Sequence, residues 1–375
     1  MLNKWLLSSF NTFQDAVKLN RTPHSVIISG NTNLGTASLA LSMARLFLCA
    51  DRSFNDGCRC CKSCQYFSSV LDEKTVNLNE DEDSGFDSHP DVVALLPTGA
   101  TQREDFGLTH SFYELLSSES SDKSSTSSIK VDGVRKLNEW IVQGSVFGRG
   151  KVAIISNAHT MMESASNALL KTFEEPPENT LIILLTDSLE NLPATILSRA
   201  SKIQIPRVKS EDAIEYLKAN VTEEYSENEI LLSLALSDNS PTGAKECLQS
   251  GLVKNALEIV SKINAAVSYH KAGANPELSL SAREEAIALM LNLTDDDKYL
   301  VLREFVSELL KYKAGLNVEN LPFLNHRNIS KLCKISAVTL FDVYNSLMVL
   351  RSDVSKIQHK AQSAVLRTVI DTLKA

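Results

Sequence analysis

The densest chemistry in the chain is a run of cysteines. Cys49, Cys58, Cys61 and Cys64 follow the spacing C-x8-C-x2-C-x2-C. Four thiolates suit a tetrahedral zinc ion, and C-x2-C pairs let two sulfurs reach one ion from a tight turn. A closed set of four sulfurs leaves no open coordination position, so Zn2+ held here is structural rather than catalytic. The alternative is a set of free thiols. Cys60 is the spare, because a ligand there would break the C-x2-C pairs. Cys247 and Cys333 lie far off in helical segments and read as plain buried thiols. Seven cysteines is an odd count, and in a reducing compartment such a cluster reads as metal binding before disulfides.

The second candidate site is a loop that has the shape of a phosphate cradle without its chemistry. Gly30-Asn31-Thr32-Asn33-Leu34-Gly35-Thr36-Ala37 follows an apolar run and opens a helical one. This is the context of the pattern G-x4-G-K-[ST]. Gly30 and Gly35 are correctly spaced. The Lys that reaches the β/γ phosphates is replaced by Thr36, and the hydroxyl that holds Mg2+ by Ala37. Backbone N–H groups at the helix start still suit an anion, but transition-state charge would go uncompensated. The segment alone reads equally well as an ordinary strand–helix turn with two glycines. A second loss accompanies it. A metal-holding strand should end in acids, yet Ile154-Ile155 runs into Ser156-Asn157-Ala158-His159, with no carboxylate. Joint loss of both halves on an intact scaffold points to a retired ATPase. ATP binding is expected to be weak or absent.

The elements that must position these residues alternate in type. A helix is expected over 1 to about 22, then a strand Ser25–Ser29 and a helix Ser38–Leu48. Further strands are expected near Val92–Leu96, Val152–Ile155, Leu181–Leu185 and Lys202–Ile205. Helices are expected over Asp132–Gln143 and Ser164–Glu175, the latter stopped by Pro176-Pro177, with a short one ending near Arg199. Apolar strands alternating with helices imply a parallel sheet covered on both faces. After Pro206 strand signals stop. Residues 208–265 and 266–375 read as two helical blocks behind an α/β domain at 1–207. Residues 72–87 and 99–128 are acidic or Ser-rich and read as insertions with little to bury.

Bulk properties bound the function. A chain of 375 residues, 43% hydrophobic, is ample for two or three domains. A net charge of -8 makes it a poor candidate for wrapping DNA alone, because sequence-independent affinity comes from Lys and Arg on phosphates. No apolar run reaches the ~18 residues of a membrane span. The apolar patch at Leu2–Leu7 has no cleavage site after it, so a cytoplasmic protein without membrane attachment is expected.

With these residues in view, the chain resembles the clamp-loader subunits of bacterial DNA polymerase III, of the delta-prime and gamma/tau type. Asn167-Ala168-Leu169-Leu170-Lys171-Thr172-Phe173-Glu174-Glu175-Pro176-Pro177 is very close to their most specific signature. Ile196-Leu197-Ser198-Arg199-Ala200 is similar to their Ser-Arg-Cys motif, with Ala200 in place of the Cys. His89-Pro90-Asp91, Ile129-Lys130-Val131-Asp132 and Val134-Arg135 also match, and Asn239-Ser240-Pro241-Thr242-Gly243-Ala244 resembles the stretch at their sensor 2 helix. The likeness covers about residues 20–250.

The resemblance implies an α/β AAA+ P-loop-type domain with a zinc module at about 49–64. A small helical lid domain at 208–265 and an all-helical collar domain at 266–375 complete the expected fold. The lost Lys and acids separate the non-hydrolysing delta-prime type from gamma/tau, which hydrolyses ATP. In delta-prime the Ser-Arg-Cys arginine acts in trans. Arg199 would then be a catalytic arginine finger for a neighbour's ATP, where the alternative is a solvated surface Arg. Thr186 falls at the sensor 1 position, where without local nucleotide it would only satisfy nearby backbone. Lys171, Glu174 and Glu175 read as a solvated helix face. The implied partners are the gamma/tau and delta subunits, the sliding clamp, and primed DNA through the assembled complex. Two other functions compete. An active gamma/tau-like ATPase is opposed by Thr36 and Ala37. A stand-alone zinc-dependent nucleic-acid-binding module is opposed by net acidity and by the lack of aromatic–basic interleaving near the cysteines.

Overall fold

The computed structural model describes residues 2–31, 34–53, 57–71, 89–97, 128–271, 276–317, 321–324, 335–353 and 359–374. The expected insertion at 72–87 lies outside the described residues, as does that at 99–128 except for Ser128. The chain forms two compact units, Met1–Arg207 and Val208–Ala375.

The first unit is an α/β layer structure. Its described elements are α1 (Lys4–Lys18), β1 (Ser25–Ser29), α2 (Thr36–Leu48), α3 (Lys62–Leu71), β2 (Val92–Leu95), α4 (Val131–Ile141), β3 (Lys151–Ile155), α5 (Glu163–Glu174), β4 (Thr180–Thr186), α6 (Ala194–Leu197) and β5 (Ser201–Gln204). The strands form one five-stranded sheet in the order β2-β3-β4-β1-β5. Every pairing is parallel, with Ile27 opposite Leu184 and Ile155 opposite Leu184 across the centre. β1, β2, β3 and β4 are buried along their whole length, which is why they read as unbroken apolar runs rather than alternating ones.

Strand side chains alternate between faces. Ile27, Leu95, Ile155, Ile182 and Leu184 share a core with Val134 and Leu137 of α4, Leu169 and Phe173 of α5 and Ile196 of α6. The intervening Val26, Ile28, Ile154 and Ile183 are equally buried and point to the opposite face, where α2 packs on β1, β3 and β4 and α1 packs on α2. One element was not expected from the sequence. Lys62–Leu71 is helical although Lys-Ser-Cys-Gln has no apolar period at its start, and the cysteine spacing drew the reading toward a turn.

The second unit is helical throughout its described residues: α7 (Ser210–Asn220), α8 (Glu227–Leu236), α9 (Pro241–Gln249), α10 (Leu252–Lys271), α11 (Pro276–Leu291), α12 (Asp295–Lys313), α13 (Ala337–Asp353) and α14 (His359–Lys374). Local chemistry sets several of the starts. Ser226 and Glu229 form a reciprocal capping box at α8. Ser240 caps α9 with Pro241 in the first turn, and Thr294 caps α12. α10 packs along α11, and α14 packs on α10, α11 and α13. Position 265/266, where two helical domains were expected to meet, falls inside the continuous helix α10. Among the described residues no helix is long and apolar enough to cross a membrane.

Candidate functional site

The glycine loop sits at the carboxyl end of β1, where open parallel sheets bind ligands. Gly30 donates its amide to the Thr186 carbonyl at 3.0 Å, tying the loop to the end of β4. A Cβ at Gly30 would come within 2.9 Å of the Ile205 Cβ, so no side chain fits. Gly35 has φ +83° and caps α2 in the left-handed region that favours glycine. Thr36, at the Lys position, is buried, and its hydroxyl has no hydrogen-bond partner in the protein. Ala37 is fully buried. Helix α1 closes over the loop: the Trp5 indole N–H donates to the Leu34 carbonyl at 2.9 Å, and Leu6 lies against Gly35. Thr32 and Asn33 are outside the described residues. A phosphate here would meet the first amides of α2, with the uncharged Thr36 where a lysine would stand.

The end of β3 is equally bare of acid. Ser156 is buried with its hydroxyl unpartnered in the protein, and Asn157 turns the chain with φ 47°. His159 meets the Asp187 carboxylate through Nδ1 at 3.0 Å. Thr186 donates its hydroxyl to the Ser188 carbonyl at 2.9 Å and accepts the Ser188 amide at 3.2 Å, which closes the turn after β4.

The cysteines converge. The sulfurs of Cys49, Cys58, Cys61 and Cys64 all lie within 4.8 Å of one another, with Cys58 and Cys64 at 4.0 Å. A tetrahedron of about 2.3 Å metal–sulfur bonds needs sulfurs about 3.8 Å apart, so a small closure of this cage fits the ion. Amides of Cys58, Cys61 and Cys64 donate to the sulfurs of Cys49, Cys58 and Cys61 at 3.1, 3.3 and 3.4 Å. Desolvation pushes Cys58 up, but the Cys60 and Cys61 amides overcome it and bring the thiol down to about 6. Burial holds Cys49 and Cys64 above the ordinary range. A bound cation reverses that penalty and deprotonates its thiols. Cys60 is exposed and outside the cluster. Cys247 is half-buried in α9, and Cys333 lies outside the described residues.

A buried network braces this cluster. Asp91 N donates to His89 Nδ1 at 3.1 Å, so Nε2 carries the proton and donates to Ser63 Oγ at 2.9 Å. Burial keeps the imidazole neutral, with a pKa of about 4. The Asp91 carboxylate accepts the amides of Val146 and Phe147 at 2.6 and 2.9 Å.

Arg199 follows the short helix α6. Its carbonyl accepts the hydroxyl of Ser25 at 2.9 Å, anchoring the backbone to the start of β1. Its Nη2 pairs with Glu174 Oε1 at 2.7 Å, and its Nη1 donates to Thr195 O at 3.0 Å and Ser198 Oγ at 3.3 Å. Its side chain is 37% exposed. Glu174 was read from the sequence as an ordinary helix-face charge. Its pairing partner lies 25 residues along the chain, beyond any helical spacing.

A family model described as DNA polymerase III, delta subunit, matches residues 7–209, more than half of the chain. The chain belongs to this family. The family match spans the α/β unit almost end to end. Relatives of this family member bear related names. It is 26% identical over 335 residues to the DNA polymerase III subunit delta' of Haemophilus influenzae, covering 88% of this chain and 82% of that protein. It is 25% identical over 245 residues to the Escherichia coli subunit of the same name, covering 65% and 60%. It is also 24% identical over 294 residues to the E. coli subunit tau, covering 78% of this chain and 36% of tau.

Proposed function

We propose that this chain is a non-hydrolysing clamp-loader subunit of a bacterial DNA polymerase III holoenzyme, of the delta-prime type. The observation that carries the reading is the pair of bare positions on an otherwise ordered sheet. Thr36 and Ala37 stand where Lys and a Mg2+ hydroxyl belong, and Ser156 and Asn157 stand where acids belong. Thr36, Ala37, Ser156 and Asn157 carry no charge with which to neutralise a γ-phosphoryl or hold its metal. The α/β unit is an AAA+-type domain that contributes to a neighbour's reaction. Arg199, fixed at the edge of its own unit, reaches the ATP of an adjacent gamma/tau subunit, where a guanidinium in trans is worth roughly 10³–10⁵ in rate in other NTPases. The helical unit supplies a lid and a collar that join gamma/tau and delta subunits in a cytoplasmic ring acting on the sliding clamp and primed DNA.

Cys49, Cys58, Cys61 and Cys64 would hold structural Zn2+, whose role is to fasten folded chain rather than to react. Cys49 follows the last turn of α2 and Cys64 lies in the first turn of α3, so these residues tie one helix end to the next. Ser63 and His89 then pass that anchorage to the start of β2.

The test is ATP turnover by cognate gamma/tau and delta subunits with clamp and primed DNA, adding this chain as wild type or Arg199→Ala. Wild type should raise turnover and clamp loading. The variant should assemble and fail to raise them, and the isolated chain should not turn over ATP. Turnover indifferent to the substitution in an intact assembly would make Arg199 a surface residue and the chain a passive scaffold.

A further inference from the structure

Arg199 is not a free surface side chain. Three acceptors hold its guanidinium: Glu174 on Nη2, and Thr195 O and Ser198 Oγ on Nη1. Glu174 is the last residue of α5, and the Thr195 carbonyl is one of those left unsatisfied where α6 ends. A cation is favoured at both places, because carbonyl ends of helices carry partial negative charge. The backbone beneath is fixed as well, since Ser25 Oγ donates to the Arg199 carbonyl. An Arg guanidinium carries five N–H donors. The two Nη1 hydrogen bonds and the Nη2 ion pair engage part of this fork, on a side chain that stays partly exposed.

We propose that Glu174 is a positioning residue for Arg199. It holds the guanidinium ordered in the free subunit, with its unused N–H groups presented for a phosphate oxygen. This rests on the reading of Arg199 as a finger acting in trans. A long, solvated Arg loses rotamer freedom when it docks on a phosphate, and a guanidinium already fixed before assembly has less to lose. The pair is exposed, 37% at Arg199 and 52% at Glu174, so it is weak enough to yield the small movement docking demands. Glu174 lies inside the signature Lys171-Thr172-Phe173-Glu174-Glu175-Pro176-Pro177, and the two prolines end α5 immediately beyond it. The helix stop therefore fixes where the carboxylate stands.

The experiment is a double-mutant cycle in the reconstituted loader with clamp and primed DNA. Wild type, Glu174→Gln, Arg199→Ala and the double variant are compared for kcat and for the KM of ATP, with Glu174→Asp as a conservative rescue. Glu174→Gln should lower stimulated kcat about threefold to tenfold, with the KM of ATP, assembly and the thermal midpoint of the free chain unchanged. Glu174→Asp should restore part of the loss, and on the Arg199→Ala background Glu174→Gln should do nothing further. If Arg199→Ala lowers turnover while Glu174→Gln leaves or raises it, the positioning role is wrong and the finger stands. An equal loss on both backgrounds also overturns it, because Glu174 would then act without Arg199. If Arg199→Ala itself has no effect, the finger reading falls, and this inference with it.

Discussion

Two residues side by side in sequence take opposite parts at the cysteine cluster. Cys61 brings its sulfur into the cage, while Cys60 turns outward into solvent. The x2 spacing forces this split, because a backbone that folds one sulfur inward points its neighbour away. Cys64 is wholly buried beside Gly57, where an added Cβ would come within 3.0 Å of the Cys64 sulfur and the backbone has φ +74°. If the cage holds zinc, elemental analysis should find about one ion per wild-type chain. Cys64→Ser should lose it and destabilise the α/β unit by more than about 2 kcal/mol, whereas Cys60→Ser should keep both metal and stability. Equal metal content in the two variants would remove Cys64 from the ligand set. The cysteine pattern was legible in sequence because ligand spacing is local. The Glu174–Arg199 pair was not, because it joins the ends of two helices that only the fold brings together.

Elements were read most surely where burial is complete. β1 runs Ser25–Ser29 as expected, and β3 and β4 differ from expectation by at most a residue at each end, since strands covered on both faces carry an uninterrupted apolar signal. The helical unit was harder. Helices such as α8 and α12 bury residues around most of their circumference, so no single apolar stripe marks them, and nothing in the pattern announced that α10 continues through 265. Nor did it show which charged residue would turn inward. Glu308 of α12 is 1% exposed, and its Oε2 accepts the amides of Phe323 and Leu324 at 2.9 and 3.2 Å. Burial first, then the nearby Glu304 carboxylate, raises it from 4.5 to about 8, against the pull of those two amides and of Lys311. Between these values the folded state holds a proton that the unfolded chain has lost. The resulting stability is fully present below pH 4.5 and is lost as pH rises through 8. Glu308→Gln keeps an oxygen for both amides and removes the titration. Its stability relative to wild type, from urea unfolding at pH 6 and pH 9, should therefore improve toward the higher pH. A difference that does not vary with pH would mean the carboxyl is ionised throughout.

At the scale of the whole molecule, the two units keep separate cores. The sheet and its covering helices close the first within Met1–Arg207. The second is tied internally by ion pairs from α11 to α14, Arg283–Asp371 and Arg367–Glu284 at 2.8 and 2.9 Å. Residues 208–375 expressed alone should therefore give a helical circular dichroism spectrum and a cooperative melt; a fragment without a transition would show that this core needs the first unit. The placing of the aromatic residues gives a way to watch one unit at a time. The chain has two tryptophans. Trp5 donates to the glycine loop, and Trp140 lies under the Lys151 ammonium at 4.1 Å. Both belong to the first unit, so tryptophan fluorescence, excited selectively over that of the eight tyrosines, is a dye built into that half alone. A red shift on heating dates the opening of the sheet layers, while any helix loss at constant emission belongs to residues 208–375. Because Trp5 grips the Leu34 carbonyl, its colour also reports whatever lifts α1 from the loop.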